Sequence, residues 1–369
     1  MKKLMVIIFV LFLAVPGLWI TVEGLTGNAE VFSDAEQRML TEFPSEITWD
    51  NLDRFADQLE DYINDHAPYR DELVAFNAGL DYHLFHATDT PSVILGKNGW
   101  LFYAGQNSAE DFRGLGGRTE EWHQEVAALV NAVNAGLEAQ GIEFIILLAP
   151  NKERIYQEYM PDYMEIVNEK NRLDILADYL RESTSVPVVY PKECFEDKSY
   201  QWYYKTDTHW NNAGGFLAGQ ELIEALGGTV TDISEVDVTY TPRGTGDLVR
   251  MAHLPSEDFD ETEALVNGYL PETELTMVED TGYYPTLKFY TSKNAPDPRH
   301  VVIYRDSFTD AINATMSRYF ARVDTYWWDS GAEAKMGEEK PDVVVYEILE
   351  RYIDERILDD LQTLSQVWQ

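Results

Sequence analysis

His300-Val301-Val302-Ile303-Tyr304-Arg305-Asp306-Ser307-Phe308 is the stretch that decides the fold. The run from His300 to Tyr304 is apolar without alternation, which reads as a short strand buried on both faces. It stops at a charged pair, and a helical pattern over 307–318 follows. The same order recurs upstream. A helix is expected over about 119–140, with Thr119 as its N-cap and Gly141 as its terminator. The apolar strand Glu143 to Ala149 then runs into Ala149-Pro150-Asn151-Lys152. Val186-Pro187-Val188-Val189-Tyr190 and Val343-Val344-Val345-Tyr346 repeat the strand pattern. Helices are expected at 170–183, 211–226 and about 348–365. Alternating strands and helices imply parallel strands joined by crossovers. Residues 118–369 therefore read as an α/β domain, a doubly wound and mostly parallel sheet flanked by helices. Residues 229–298, rich in Thr, Asp and Pro, read as an insertion.

Residues 23–117 read as a stalk, a helical segment and a hairpin. Phe55, Leu59, Tyr62 and Ile63 form a helical stripe that Pro68 ends, and Leu73, Phe76 and Leu80 continue it. Val93-Ile94-Leu95 and Leu101-Phe102-Tyr103 flank Asn98-Gly99, which predicts a β-hairpin. Lys2 and Lys3 precede an apolar run from Leu4 to Ile20, interrupted by Pro16 and Gly17. Residues 1–22 read as a signal anchor, a single membrane-spanning helix that leaves the body outside the cytoplasm. A cleaved signal and a secreted body is the other reading of the same run.

The chain has 369 residues with a net charge of −37. That acidity argues against nucleic acid as a partner, because a polyanion is repelled where no basic patch intervenes. A single cysteine, Cys194, excludes an intrachain disulfide and a cysteine-based zinc site. The seven histidines are dispersed, without His-x-His or His-Glu-x-x-His spacing, so neither a metal nor a cofactor is expected.

Sites in doubly wound sheets lie beyond the carboxyl ends of the strands. Ser307 falls there, between a buried strand and a helix start, where backbone N–H groups favour a developing oxyanion. The same serine, with Asp306 beside it, also suits an ordinary helix cap. Asp207 and His209 stand two apart, so in an extended segment they share a side. Asp207 is then placed to orient one ring nitrogen of His209 while the other faces a serine as general base, the division of labour of a Ser-His-Asp triad. A surface pair capping the helix from Asn211 is the competing reading. Asn151 is a candidate oxyanion donor and Lys152 a candidate contact for an anionic polymer. Trp210, Arg305 and Asp306 complete the substrate or oxyanion candidates.

Seven segments together resemble a known family: EQRMLTEFP at 36–44, DQLEDYINDHAPYRDELVAFN at 57–77, GKNGWLFY at 96–103, APNKERIYQEYMP at 149–161, TDTHWNNAGG at 206–215, GTGDLVRM at 244–251 and RDSF at 305–308. In order and spacing they are similar to the SGNH-hydrolase-like polysaccharide O-acetyltransferases, the AlgX/AlgJ family with the related DHHW proteins. The resemblance implies Ser307 as nucleophile, His209 as base and Asp207 as its orienter. It also implies a membrane-bound O-acyltransferase as acetyl donor and a polysaccharide as acceptor. Two departures stand out: Arg305-Asp306-Ser307 replaces the Gly-Asp-Ser of SGNH esterases, and Asp-Thr-His-Trp replaces Asp-His-His-Trp. The expected function is extracytoplasmic transfer of an acetyl group, through a serine acyl-enzyme, to hydroxyls of a cell-surface or secreted polysaccharide. A carbohydrate acetyl esterase and a non-catalytic scaffold of the acetylation machinery are the alternatives. At −37 an anionic polymer needs a local basic groove, with Lys152, Lys205 and Arg305 as its candidate members; a neutral polysaccharide is the easier substrate.

Overall fold

The computed structural model describes residues 38–44, 52–67, 70–270, 274–279 and 287–369, with isolated positions between residues 5 and 33. Most of the apolar run Leu4–Ile20, part of the stalk, and Pro68 lie outside the described residues. Among the described residues no helix is long and apolar enough to cross a membrane.

The chain divides into two units. The first comprises Met1–Ser92 with Val249–Asp258. Its helices are α1 (Leu52–Asp65) and α2 (Arg70–Phe85). Tyr62 of α1 is buried, stacks on His66 at 4.1 Å and meets Phe43 edge-on at 5.1 Å. The amide and hydroxyl of Thr41 both donate to Asp65, at 2.8 Å. Leu73, Phe76 and Leu80, the continuation of the helical stripe, lie on α2 as expected and are exposed there.

The second unit comprises Val93–Leu248 with Phe259–Gln369. It opens with the expected hairpin, β1 (Val93–Leu95) against β2 (Leu101–Tyr103), Val93 opposite Tyr103. Asn98 and Gly99 have φ of 57° and 78°, the left-handed pair such a turn needs. There follow α3 (Glu120–Glu138), β3 (Glu143–Ala149), α4 (Arg172–Ser183), β4 (Val188–Val189) and α5 (Asn212–Ala225). Then come β5 (Asp237–Arg243), β6 (Glu261–Asn267), β7 (Glu274–Glu279), β8 (Leu287–Thr291) and β9 (Asp297–Arg305). The chain closes with α6 (Thr309–Tyr319), β10 (Phe320–Trp327), β11 (Val343–Leu349) and α7 (Ile353–Val367).

Seven strands form the main sheet in the order β4-β3-β11-β9-β10-β8-β7. Pairings from β4 through β10 are parallel; β8 joins β10, and β7 joins β8, antiparallel. The fold is thus α/β with a mixed sheet, five parallel strands followed by two antiparallel strands at one edge. Side chains alternate between the faces. Ile145, Leu147, Val301 and Ile303 pack with Leu222 of α5 and Ile312 and Met316 of α6. Phe144, Ile146, Val302 and Tyr304 pack with Val130 of α3, Leu176 of α4 and Leu361 of α7. Gly215 lets α5 approach α6: an added Cβ would stand 2.5 Å from the backbone of Ala311.

Two differences from the sequence reading have physical causes. Strand β10 was hidden because the sheet buries charge there. Asp324 is fully buried, paired with Arg322 at 2.5 Å and within hydrogen-bond distance of the His300 ring at 2.8 Å. Within residues 229–298, strands β7 and β8 extend the main sheet, while β5 and β6 pair with each other as an antiparallel hairpin. Edge strands tolerate polar residues, so they lack the continuous apolar run of the central strands.

Candidate active site

Ser307 follows β9 directly. Asp306, buried beside it, fixes the turn: its carboxylate accepts the Phe308 N–H at 2.8 Å and the Leu349 N–H of β11 at 2.9 Å. The Asp306 N–H donates to Glu347 at 2.9 Å, and Glu347 also accepts the Thr309 hydroxyl at 3.0 Å. Burial pushes the Glu347 pKa well above the ordinary value, and the neighbouring Asp306 charge adds to this.

Asp207 and His209 sit on a loop rather than an extended strand. Its base is closed by the antiparallel bridge Tyr203–Trp210 and by the Asn211 N–H to the Trp202 carbonyl, 2.8 Å. The Asn211 side chain then caps α5 by accepting the N–H groups of Ala213 and Gly214. Within the loop, Asp207 Oδ1 accepts the His209 N–H at 3.1 Å, an Asx turn, and takes the ring Nδ1 at 2.6 Å. The other ring nitrogen, Nε2, lies 2.7 Å from Ser307 Oγ. The His209 side chain is 29% exposed, so solvent or substrate reaches this contact. Partial burial pulls the His209 pKa down, yet the hydrogen bond and charge of Asp207 carry it above the ordinary value. Burial pushes Asp207 upward, but His209 and Lys152 hold it below the usual carboxylate range. With Asp207 ionised, Nδ1 carries the ring proton and Nε2 is left to accept from the serine hydroxyl.

The remaining sequence candidates are buried, and most brace this arrangement. Lys152 is 2% exposed and donates to three backbone carbonyls of the loop: Tyr204 at 3.1 Å, Lys205 at 3.1 Å and Asp207 at 2.7 Å. Burial pulls its pKa down to about 8. Trp210 donates from Nε1 to the Phe308 carbonyl at 2.8 Å, tying the loop to the Ser307 turn. Arg305 is buried against Trp327 at 5.0 Å, 3.2 Å from Asp310. Neither Lys152 nor Arg305 is thus free to line an exposed basic groove; Lys205 alone of that expected trio is half-buried rather than buried. The Asn151 N–H donates to Glu350 at 2.7 Å, while its buried Nδ2 has no partner among the described residues.

Sequence reasoning missed four supports. Asp247 accepts from the Thr208 N–H and hydroxyl at 2.8 and 2.7 Å. Glu261 accepts from the Thr206 N–H and hydroxyl, both at 2.7 Å. Arg243 lies over the Tyr204 ring at 4.1 Å and 4.0 Å from Asp207. Arg351, buried between Tyr103 and Tyr352 at 4.8 and 5.1 Å, opposes protonation of His209. The sole signal was GTGDLVRM, whose Gly246 abuts the loop: an added Cβ would stand 2.3 Å from the Asp207 Cβ. Asp207, His209 and Asp247 also place ligand-type atoms within 4.8 Å of one another, as do His300, Asp324 and Glu339. The first group is already engaged by Thr208 and Ser307, the second by Arg322.

A sheet with a serine at one strand end, faced by an Asp-x-His loop, defines an SGNH-hydrolase-like α/β domain. The match to the model of the SGNH hydrolase-like domain, acetyltransferase AlgX, spans residues 93–279, and the chain belongs to that family. The matched span includes Lys152, Asp207 and His209 and ends before Ser307. The protein named "Probable alginate O-acetylase AlgJ" of Pseudomonas putida is 29% identical over 155 residues, 40% of this chain and 37% of that one. The chain therefore matches less than half the length of this relative. Among solved structures, Bacillus cereus PatB1 superposes with a TM-score of 0.53 at 16% identity, covering 72% of this chain and 98% of that one. A DHHW family protein from Eubacterium siraeum gives 0.53 at 14% identity, covering 75% and 98%. At these identities the structures share the fold alone.

Proposed function

We propose that the protein is a serine-dependent O-acetyltransferase that acts on hydroxyls of a cell-surface or secreted polysaccharide. The observation that carries the reading is the contact line Asp207–His209–Ser307, at 2.6 and 2.7 Å. Ser307 Oγ attacks the acetyl carbonyl carbon as its proton passes to His209 Nε2. The tetrahedral intermediate collapses, and the departing donor oxygen takes that proton, leaving acetyl-Ser307. A sugar hydroxyl then attacks the ester carbonyl and gives its proton to His209. Collapse releases the acetylated sugar and returns the proton to Ser307. Asp207 stabilises the imidazolium in both halves. Asn151 Nδ2, buried and without a partner among the described residues, is the side-chain donor assigned to the oxyanion.

The donor is a membrane-bound O-acyltransferase that passes acetyl across the membrane, because acetyl-coenzyme A is confined to the cytoplasm. The apolar run Leu4–Ile20 supports a tether with the body outside the cytoplasm. The name of the Pseudomonas relative supports a polysaccharide as acceptor.

Mass spectrometry after incubation with p-nitrophenyl acetate tests the mechanism. An acetyl adduct on the Ser307 peptide is expected, absent in Ser307→Ala. Loss of the hydroxyl should lower ester turnover by roughly 10⁴–10⁶-fold. Unchanged turnover in Ser307→Ala refutes the assignment. Acetate as the sole product with every glycan offered makes the protein an esterase.

A further inference from the structure

One surface feature lies outside this machinery. A groove of about 540 Å³, open to solvent, is walled by aromatic rings. Trp100, at the hairpin turn, stacks on Tyr156 at 4.2 Å and on Tyr159 at 4.9 Å, the latter pair within 9° of parallel. Trp100 and Tyr156 are buried; Tyr159, Tyr200 and Tyr240 present their rings to the groove. Two rings are anchored through their hydroxyls: Tyr156 accepts the Trp202 N–H at 2.8 Å and Tyr240 the Gln201 N–H at 3.0 Å. A row of rigid, partly exposed rings with amides between them suits a ligand with apolar C–H faces and hydroxyl edges. That is the chemistry of a pyranose chain.

The groove and the catalytic loop share backbone. Lys205 lines the groove and precedes Asp207 by two residues. Its carbonyl accepts the Leu101 N–H of the hairpin at 2.9 Å and the Lys152 ammonium at 3.1 Å. Local charge also separates the groove from the rest of this acidic surface: Lys198 and Lys205 line it against Glu158 alone. Steering by the net charge disfavours acidic polymers elsewhere, whereas this groove is a tolerant strip.

We propose that this aromatic groove is the acceptor subsite, holding a stretch of pyranose polysaccharide while one of its hydroxyls reaches Ser307. The proposal rests on the O-acetyltransferase reading, and its test is separable from it. The full-length chain carrying Ser307→Ala, so that nothing turns over, is titrated calorimetrically with an alginate hexamer and with chitohexaose. At least one is expected to bind. Adding Tyr159→Ala and Tyr240→Ala together should weaken that binding at least tenfold. Tyr240→Phe, which keeps the ring, should bind within about twofold of the parent. Tyr163→Ala, at an exposed tyrosine off the groove, should leave binding unchanged. Thermal melts of each variant check folding. Binding of neither sugar, or undiminished binding by the double variant, overturns the proposal. An acetyl adduct on wild-type Ser307 without glycan binding sinks the groove alone; glycan binding that depends on the tyrosines without an adduct sinks the acyl-enzyme alone.

Discussion

Ser307 stands at the end of a strand that pairs with a neighbour on each side, and its turn is pinned to β11 through Asp306 and Glu347. His209 stands on a loop outside the main sheet, whose shape is set by Lys152, Glu261 and Asp247. One partner of the 2.7 Å contact is thus positioned by backbone ladders with side-chain ties to β11, the other by charged side chains, of which Lys152 and Glu261 are buried. Ladders are cooperative and tolerate loss of one bond. A buried ion leaves unpaired groups behind when removed, so each single support of the loop carries more of the geometry. The comparison predicts that loop supports are more sensitive to substitution than turn supports.

The largest effect within the loop belongs to Asp207→Asn. The amide keeps the shape but offers the wrong hydrogen pattern to Nδ1, and turnover of an acetyl ester should fall roughly 10⁴-fold. Wild-type turnover should rise with pH through a midpoint above the ordinary histidine value, about 6.5, since His209 must be neutral to act as base. In Asp207→Asn the charge is gone and burial remains, so the residual activity should have its midpoint at lower pH. An unshifted midpoint would remove Asp207 as the cause. Stability follows the same linkage. The raised His209 contributes fully below about pH 6.5, and its contribution fades as pH climbs through the folded value; the depressed Asp207 contributes above about pH 3.9, and its contribution fades on acidification.

Next comes Lys152→Met. The side chain keeps much of its length, but three loop carbonyls lose a donor, one of which keeps Leu101. Unmet buried acceptors cost about 1–3 kcal/mol each, so a loss of roughly 3 kcal/mol is expected in urea denaturation, with a fall in turnover. A change within about 0.5 kcal/mol would show that the loop holds itself.

These supports mark where sequence reading ran out. The run HVVIYRDSF displays Ser307 because a strand buried on both faces needs apolar residues throughout and the helix must start beyond it. Asp207 and His209 were legible as a pair, though for a different geometry: the spacing of two serves an Asx turn rather than an extended strand. Lys152 after a strand end looks like a solvent-facing polar turn. Its three acceptors are main-chain carbonyls more than 50 positions away, which no residue type announces. Arg322 and Asp324 hid a strand for the same reason, since a buried acid paired with a half-exposed arginine looks like surface in the sequence.

The turn side of the comparison gives the smaller effects. In Asp306→Asn the new amide nitrogen cannot accept, so either the Phe308 or the Leu349 N–H is orphaned, at about 1–3 kcal/mol. Glu347→Gln should do least. Burial and the adjacent Asp306 charge raise the Glu347 pKa well above 4.5, which favours the neutral side chain in the folded protein. Glutamine reproduces that state: its oxygen still accepts the Asp306 N–H and the Thr309 hydroxyl, and its NH₂ takes the place of the acid proton. A raised carboxyl contributes fully below its unfolded value, about 4.3, and progressively less as pH rises toward the folded one. Wild type therefore loses stability over that window and the glutamine variant does not. Urea melts should show Glu347→Gln equal to wild type near pH 4 and at least as stable at pH 7, with ester turnover within about threefold. A variant less stable than wild type by about 2 kcal/mol at pH 7 would mean that Glu347 is ionised, and that the Ser307 turn, like the histidine loop, depends on a buried charge.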